Sequence, residues 1–343
     1  MTPGVVHDSR PILVSGVYRS GTTFLAAMLG AHPGLAATSS TVKFLRFCNG
    51  RYGDLARPEC LDALVRETAR RVRVRWEIEI DANAVLADLA TRDDLSYARA
   101  YDVIMRHMLT AGRDDVRWVE KLAMQWTDVP LFLEMFPNGR VLHIIRDPRD
   151  VTASYKAMTF EPGNTFLDAA FNCRSSMEHA RRYERSHAAG FLVVRAEDLA
   201  ADPQAGARQL CGFLDIAYDD RMVDAAEFHA EGEDWASNTS FGQSFDRIRP
   251  LAPRWPDNLS TDELALVELV TQPYLCDFGY EHSGCVPKPE QWQRIAALCD
   301  DSFLAERLRR WFVLGEGSQG YRTDPYEHEM KIVFPERYEY GDT

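Results

Sequence analysis

Residues 11–31 read Pro11-Ile-Leu-Val-Ser-Gly-Val-Tyr-Arg-Ser-Gly-Thr-Thr-Phe-Leu-Ala-Ala-Met-Leu-Gly-Ala31. The apolar run Ile12 to Val14 has the length and composition of a buried strand. Phe24, Leu25, Met28 and Leu29 repeat at helical spacing, so Gly16 to Gly21 must turn the chain from strand to helix. The spacing Gly16-x-x-x-x-Gly21-Thr22-Thr23 is that of a phosphate-binding loop, in which glycines let backbone N–H groups curl around an anion at a helix N-terminus. A nucleotide triphosphatase would carry Lys where Thr22 stands. Here the basic residue is Arg19, three positions earlier on the loop itself.

A second stretch, Val141 to Tyr155, follows the same strand-to-helix logic. Val141 to Ile145 reads as a buried strand, Asp147 as an N-cap, and Pro148 as the first helical residue. Asp150 completes a capping pattern three residues after Asp147. Between the two blocks, Arg117-Trp-Val-Glu-Lys121 reads as a strand ending in a basic residue. Phe191 to Arg195 supplies another strand. The strands 11–16, 117–121, 141–145 and 191–195, each followed by a helix, predict an α/β fold: a three-layer parallel sheet of the P-loop kind. Ligands would then sit at the strand carboxyl ends, where both motifs fall.

Arg19-Ser-Gly-Thr-Thr23 resembles the 5′-phosphosulfate loop of sulfotransferases that use 3′-phosphoadenosine-5′-phosphosulfate, in the bacterial and tyrosylprotein branch. By that resemblance, Arg19 contacts the sulfuryl group and its bridging oxygen. Ser20, Gly21, Thr22 and Thr23 hold the 5′-phosphate, and Phe24 lies near the adenine. Arg146 and Ser154 match the family's 3′-phosphate motif, a task suited to the bidentate donors of Arg. Lys121 matches the lysine that stabilises the transferring sulfuryl group. Ser240 and Arg249 fall in what looks like the loop that closes over the nucleotide, as further sulfuryl and 3′-phosphate contacts. The resemblance covers residues 11 to about 282. It implies sulfuryl transfer by in-line displacement to a hydroxyl of a small-molecule, lipid or carbohydrate acceptor, with no metal. Taken alone, the same loop is also open to an ordinary helix cap with a solvated Arg19.

Four departures qualify the match. The family's proposed general base, a Glu after an Ala-His-Pro turn, is replaced by Ser39 and Ser40, in a stretch that reads as a polar loop. Ala123 stands where cytosolic members carry a catalytic His. Leu122 breaks the usual Lys-Thr-Pro, and Ala196 replaces a Tyr that would approach the adenine. Strand alternation points Glu120 away from Lys121, so it reads as structural. A recruited base would come from His107, His229, Glu231, Glu233 or Asp234, or an acidic acceptor such as a phenol would need none. Two rival functions share the fold: a P-loop nucleotide kinase or NTPase, which Thr22 opposes, and a non-catalytic nucleotide-binding relative, which the lost base favours.

With 343 residues, 45% of them hydrophobic, the chain can bury a large core. A net charge of −13 argues against a nucleic-acid or anionic-membrane surface while leaving room for a local basic pocket. No run approaches the ~18 apolar residues of a membrane span, and the first ten residues lack the apolar centre of a signal peptide. Seven cysteines without a Cys-x-x-Cys pair suit free thiols and a cytoplasmic location. The nine histidines form no metal-ligand spacing, and His143 reads as a core residue. Residues 58–112 read as a helical insertion within a 1–282 domain. Its arginines Arg66, Arg70, Arg71, Arg73 and Arg75 read as a solvated face, or one greeting an anionic acceptor. Residues 283–343 read as an extension serving as a lid or a homodimer arm.

Overall fold

The computed structural model describes residues 4–113, 115–158, 163–232, 248–300, 302–314 and 325–338. In chain order these form β1 (Ile12–Gly16), α1 (Thr22–Gly30), β2 (Leu35–Ser39), α2 (Phe44–Phe47), α3 (Pro58–Trp76), α4 (Ala82–Leu89) and α5 (Tyr97–Thr110). There follow β3 (Arg117–Ala123), α6 (Val129–Met135), β4 (Arg140–Ile145), α7 (Pro148–Met158), α8 (Asp168–Ser186) and β5 (Phe191–Arg195). The remainder is helical: α9 (Ala196–Ala201), α10 (Pro203–Leu214), α11 (Trp255–Asn258), α12 (Thr261–Thr271), α13 (Tyr274–Asp277), α14 (Pro289–Ala297), α15 (Ser302–Leu314) and α16 (Pro325–Val333).

All strand pairs are parallel, in the order β2-β3-β1-β4-β5. The central strand β1 is buried along its whole length because helices cover both faces, which is why it reads as a continuous apolar run. Leu13, Trp118, Leu122 and Val141 meet Tyr101, Phe132 and Phe136 on one face. Ile12, Val14, Val119 and Leu142 meet Leu25, Met28 and Leu210 on the other. Each such fully buried side chain contributes roughly 1.5–3 kcal/mol. The result is the expected three-layer α/β sandwich.

Strand β2 differs from the expectation of a polar loop. Leu-Ala-Ala-Thr-Ser has weak strand propensity, and tertiary pairing overrides it. Leu35 lies opposite Arg117 and Ser39 opposite Lys121, while the outer edge is covered by the backbone of Glu231. The Glu231 N–H donates to the Ala37 carbonyl at 2.9 Å, and the Ser39 N–H to the Glu231 carbonyl at 2.7 Å.

The insertion forms α3 to α5, started by proper caps. Asp81 accepts from the N–H groups of Asn83 and Ala84, and Ser96 accepts from that of Arg99. Its arginine face is exposed at Arg66, Arg73 and Arg75, as expected, while Arg71 is buried. Arg70 pairs with Glu336 at 2.7 Å, while Arg71 and Arg75 approach Glu329 at 3.7 and 3.3 Å. Beyond residue 282 the chain packs in two places. Ile295, Cys299 and Leu304 join Phe166, Leu266 and Val267, and Arg307 reaches Asp168 at 2.6 Å and Asn172 at 2.9 Å. The last helix, α16, lies instead on α3.

Candidate active site

The loop between β1 and α1 is shaped by close backbone approach. A Cβ on Gly16 would stand 2.5 Å from the Ile144 carbonyl oxygen, so no larger residue fits between β1 and β4. Gly21 has φ 100°, a conformation that glycine adopts without strain. Arg19 is also left-handed, at φ 70°. The Ser20 hydroxyl donates to the Val17 carbonyl at 2.6 Å and is almost wholly buried, so it staples the loop rather than pointing outward. Helix α1 starts at Thr22 with Gly21 at the N-cap and no side-chain cap, the arrangement that suits a bound anion.

The second motif closes onto this loop. Arg19 Nε donates to Ser154 Oγ at 3.2 Å, and Arg146 Nη1 donates to the Arg19 carbonyl at 3.4 Å. Arg146 Nη2 stands 3.6 Å from Asp150. Its Nε is buried with no hydrogen-bond partner among the described residues. Leaving a buried charged donor unpaired is costly, so an anion at this point would satisfy it. Arg19, Arg146 and Ser154, from the ends of β1 and β4 and from α7, therefore form one basic corner in an acidic protein.

One residue of this motif serves differently from its sequence reading, and one serves as read. Asp147 does accept the Arg149 N–H at 2.9 Å and also binds that guanidinium. Asp150, expected to complete the cap, turns instead to α11 and accepts the N–H groups of Arg254 at 2.8 Å and Trp255 at 3.0 Å. A position one turn into α7 faces the incoming segment, whose backbone donors outcompete those of its own helix end.

Lys121 is 3% exposed, and its Nζ donates to Thr23 Oγ1 at 3.0 Å, which links the end of β3 to the first turn of α1. Glu120 points to the opposite face, as alternation requires. There it accepts the Lys43 N–H at 2.6 Å and the Tyr101 hydroxyl. Burial pushes its carboxyl up to about 6, against the lowering effect of those donors. His143 is buried in the core beside Ser176, at 2.8 Å, and burial lowers it to about 3, so it stays neutral.

Phe24 is partly buried and packs on Phe228, ring centroids 5.7 Å apart. The Ala196 methyl lies close to Gly21. Phe228 has no local sequence signal; only the fold brings it to Phe24. Among the base candidates, His107 pairs with Asp88 at 3.1 Å within the insertion, remote in sequence from the loop. His229 and Glu231 bond each other at 3.2 Å beside the edge of β2. The Ser40 hydroxyl donates to the Lys121 carbonyl at 3.0 Å. Arg249 is exposed. Ser240, Glu233 and Asp234 lie outside the described residues. Sequence reasoning also missed Lys43, four residues past β2 and half-buried. Desolvation, with help from Arg71, Arg46 and Arg75, lowers its ammonium to about 8.

A family model described as the sulfotransferase family matches residues 11–220. The protein-tyrosine sulfotransferase A of Caenorhabditis elegans is 24% identical over 300 residues, spanning 84% of this chain and 72% of that protein. The protein-tyrosine sulfotransferase of Drosophila melanogaster is 24% identical over 293 residues, spanning 82% of this chain and 54% of that protein. Among solved structures, the sulfotransferase domain of the Synechococcus PCC 7002 olefin synthase aligns with a TM-score of 0.57. It is 20% identical and covers 84% of this chain and 99% of that domain.

Proposed function

This chain belongs to the sulfotransferase family, and from that premise we propose that its basic corner binds 3′-phosphoadenosine-5′-phosphosulfate for transfer of the sulfuryl group to an acceptor hydroxyl. The observation that carries this reading is the buried, unpartnered Arg146 Nε beside the Arg19–Ser154 contact. It asks for an anion at a place where a plain nucleoside 5′-phosphate would have none. The donor supplies an activated sulfuryl group and a leaving phosphate when bound. In this reading, the loop N–H groups around Gly21 and Thr22 hold the 5′-phosphate, and Arg146 with Ser154 holds the 3′-phosphate. Phe24 and Phe228 offer the ring surface for the adenine, in place of the Tyr lost at Ala196. In this reading Arg19, on the loop, and Lys121, bonded to Thr23 in the first turn of α1, offset the charge that develops on the transferring and leaving oxygens.

The acceptor hydroxyl would approach from the side of residues 40–43 and the insertion. Among the described residues no helix is long and apolar enough to cross a membrane, and the seven cysteines are free thiols, in keeping with a cytoplasmic enzyme. Calorimetric titration with adenosine 3′,5′-bisphosphate, AMP and ATP tests the donor. Preference for the bisphosphate is expected, whereas preference for ATP would return the chain to the kinase reading. Incubation with the donor and a fractionated extract, followed by mass spectrometry for an added sulfonate, then identifies the acceptor.

A further inference from the structure

The C-terminal helix α16 carries one buried carboxylate, Glu329, whose side chain is 8% exposed. It faces Arg71 at 3.7 Å and Arg75 at 3.3 Å. Arg71 is itself 1% exposed and donates to the carbonyls of Thr41, at 3.2 Å, and Val42. Those carbonyls belong to the segment that leaves β2. Its two ends are tied to β3: the Ser40 N–H and hydroxyl both donate to the Lys121 carbonyl at 3.0 Å, and the Lys43 N–H donates to Glu120 at 2.6 Å. Ser40 and Lys43 both hold left-handed backbone, φ 58° and 46°, which costs energy unless the surroundings impose it. A continuous set of contacts therefore runs from α16, through one buried guanidinium, to the strand end that bears Lys121.

We propose that Glu329 is a positioning residue for sulfuryl transfer: by neutralising Arg71, it lets that guanidinium hold residues 40–43, and with them Lys43 and the end of β3, in the geometry the acceptor meets. Without the carboxylate, Arg71 would be a buried cation held by the Thr41 and Val42 carbonyls and the Phe47 ring 4.8 Å away, a poorly compensated arrangement. The inference rests on the sulfotransferase reading for its effect on turnover, but the contacts it uses stand apart from the nucleotide corner. The last helix then completes the acceptor side of the enzyme.

Lys43 reports on this coupling. The charged groups around it are Arg46 from α2, Arg71 and Arg75 from α3, Glu120 from β3, and Glu329 from α16. Of these, Arg46, Arg71 and Arg75 favour the neutral amine, and Glu329 favours the ammonium. Glu329→Gln should lower the pH at which Lys43 reacts with an amine-acylating reagent, read by peptide mass spectrometry, by roughly half a unit or more. It should also speed amide exchange at residues 40–43. Transfer from 4-nitrophenyl sulfate to adenosine 3′,5′-bisphosphate, which releases 4-nitrophenol, should fall in kcat at least severalfold. The affinity for the bisphosphate should stay within twofold, and Glu329→Asp should recover much of the loss. An unmoved Lys43 profile overturns the proposal, and so does a shifted profile with unchanged kcat, or a nucleotide affinity that falls in step with kcat. If the wild type binds no bisphosphate, the donor assignment fails by itself, and the Lys43 profile still decides whether α16 governs residues 40–43.

Discussion

Arg19 Nε and Ser154 Oγ, 135 residues apart in the chain, lie 3.2 Å apart in the structure. The loop cation is thus held by helix α7, so that in the proposed reading one anionic ligand would engage both. Arg146 completes the corner through the Arg19 carbonyl.

Arg146→Ala should weaken adenosine 3′,5′-bisphosphate by about 1.5–3 kcal/mol, the usual worth of hydrogen bonds to a charged group, while leaving AMP nearly unaffected. Calorimetry with both ligands measures the difference. Equal losses for the two would remove Arg146 from the 3′-phosphate.

Arg19→Ala and Lys121→Ala should each lower kcat more than they raise the donor Kd, because the oxygens they face gain charge in the transition state. Steady-state kinetics paired with nucleotide titration separates the two effects. An Arg19→Ala enzyme altered only in KM would make Arg19 a binding residue.

Gly16→Ala should destabilise the fold by roughly 1–3 kcal/mol, since the added methyl meets a backbone oxygen of β4 and the two strands must part. Thermal unfolding reads this directly. An unchanged midpoint would mean that the β1–β4 contact is looser than its geometry indicates.

The carboxyl of Glu120 is raised from near 4.5 to about 6 by burial, so the folded state holds its proton more tightly than the unfolded chain. Its stabilising contribution is complete below pH ~4.5 and is lost as the pH rises through 6, on the order of 2 kcal/mol in all. Denaturant titrations at pH 4.5 and 7 should show a larger difference for the wild type than for Glu120→Gln. Parallel curves for the two proteins would place the proton elsewhere.

Alanine at His107, His229, Glu231, Glu233 and Asp234, assayed one at a time with the true acceptor, should reveal one variant that falls by ~10²-fold or more if a base has been recruited. His229 and Glu231 are the pair that the structure sets beside β2. Near-normal turnover in all five would mean that the acceptor ionises unaided.

The turn between β1 and α1 and the start of α7 were legible because each residue type there answers a local demand. Gly16 avoids a backbone oxygen, Gly21 takes a left-handed turn, and Pro148 opens a helix. Strand β2 was not legible, since Leu35 to Ser39 has neither alternation nor β-branched enrichment and becomes a strand only between β3 and the Glu231 backbone. The inner side of the arginine face of α3 was hidden for a related reason. Its partners Glu329 and Glu336 lie more than 250 residues downstream, and no local pattern announces a pairing of that range. Phe228 reaches Phe24 by tertiary packing alone.

The sheet order has a consequence for how the molecule is made. Ile12 pairs with both Val119 and Arg140, so the central strand has no strand beside it until β3 has left the ribosome, and only one until β4 follows. At ~5–20 residues per second, the roughly 100 residues from β1 to the end of β3 take about 5–20 s, during which β1 has α1 to pack on but no strand beside it. During that interval both edges of the apolar strand are unpaired and open to association with other chains.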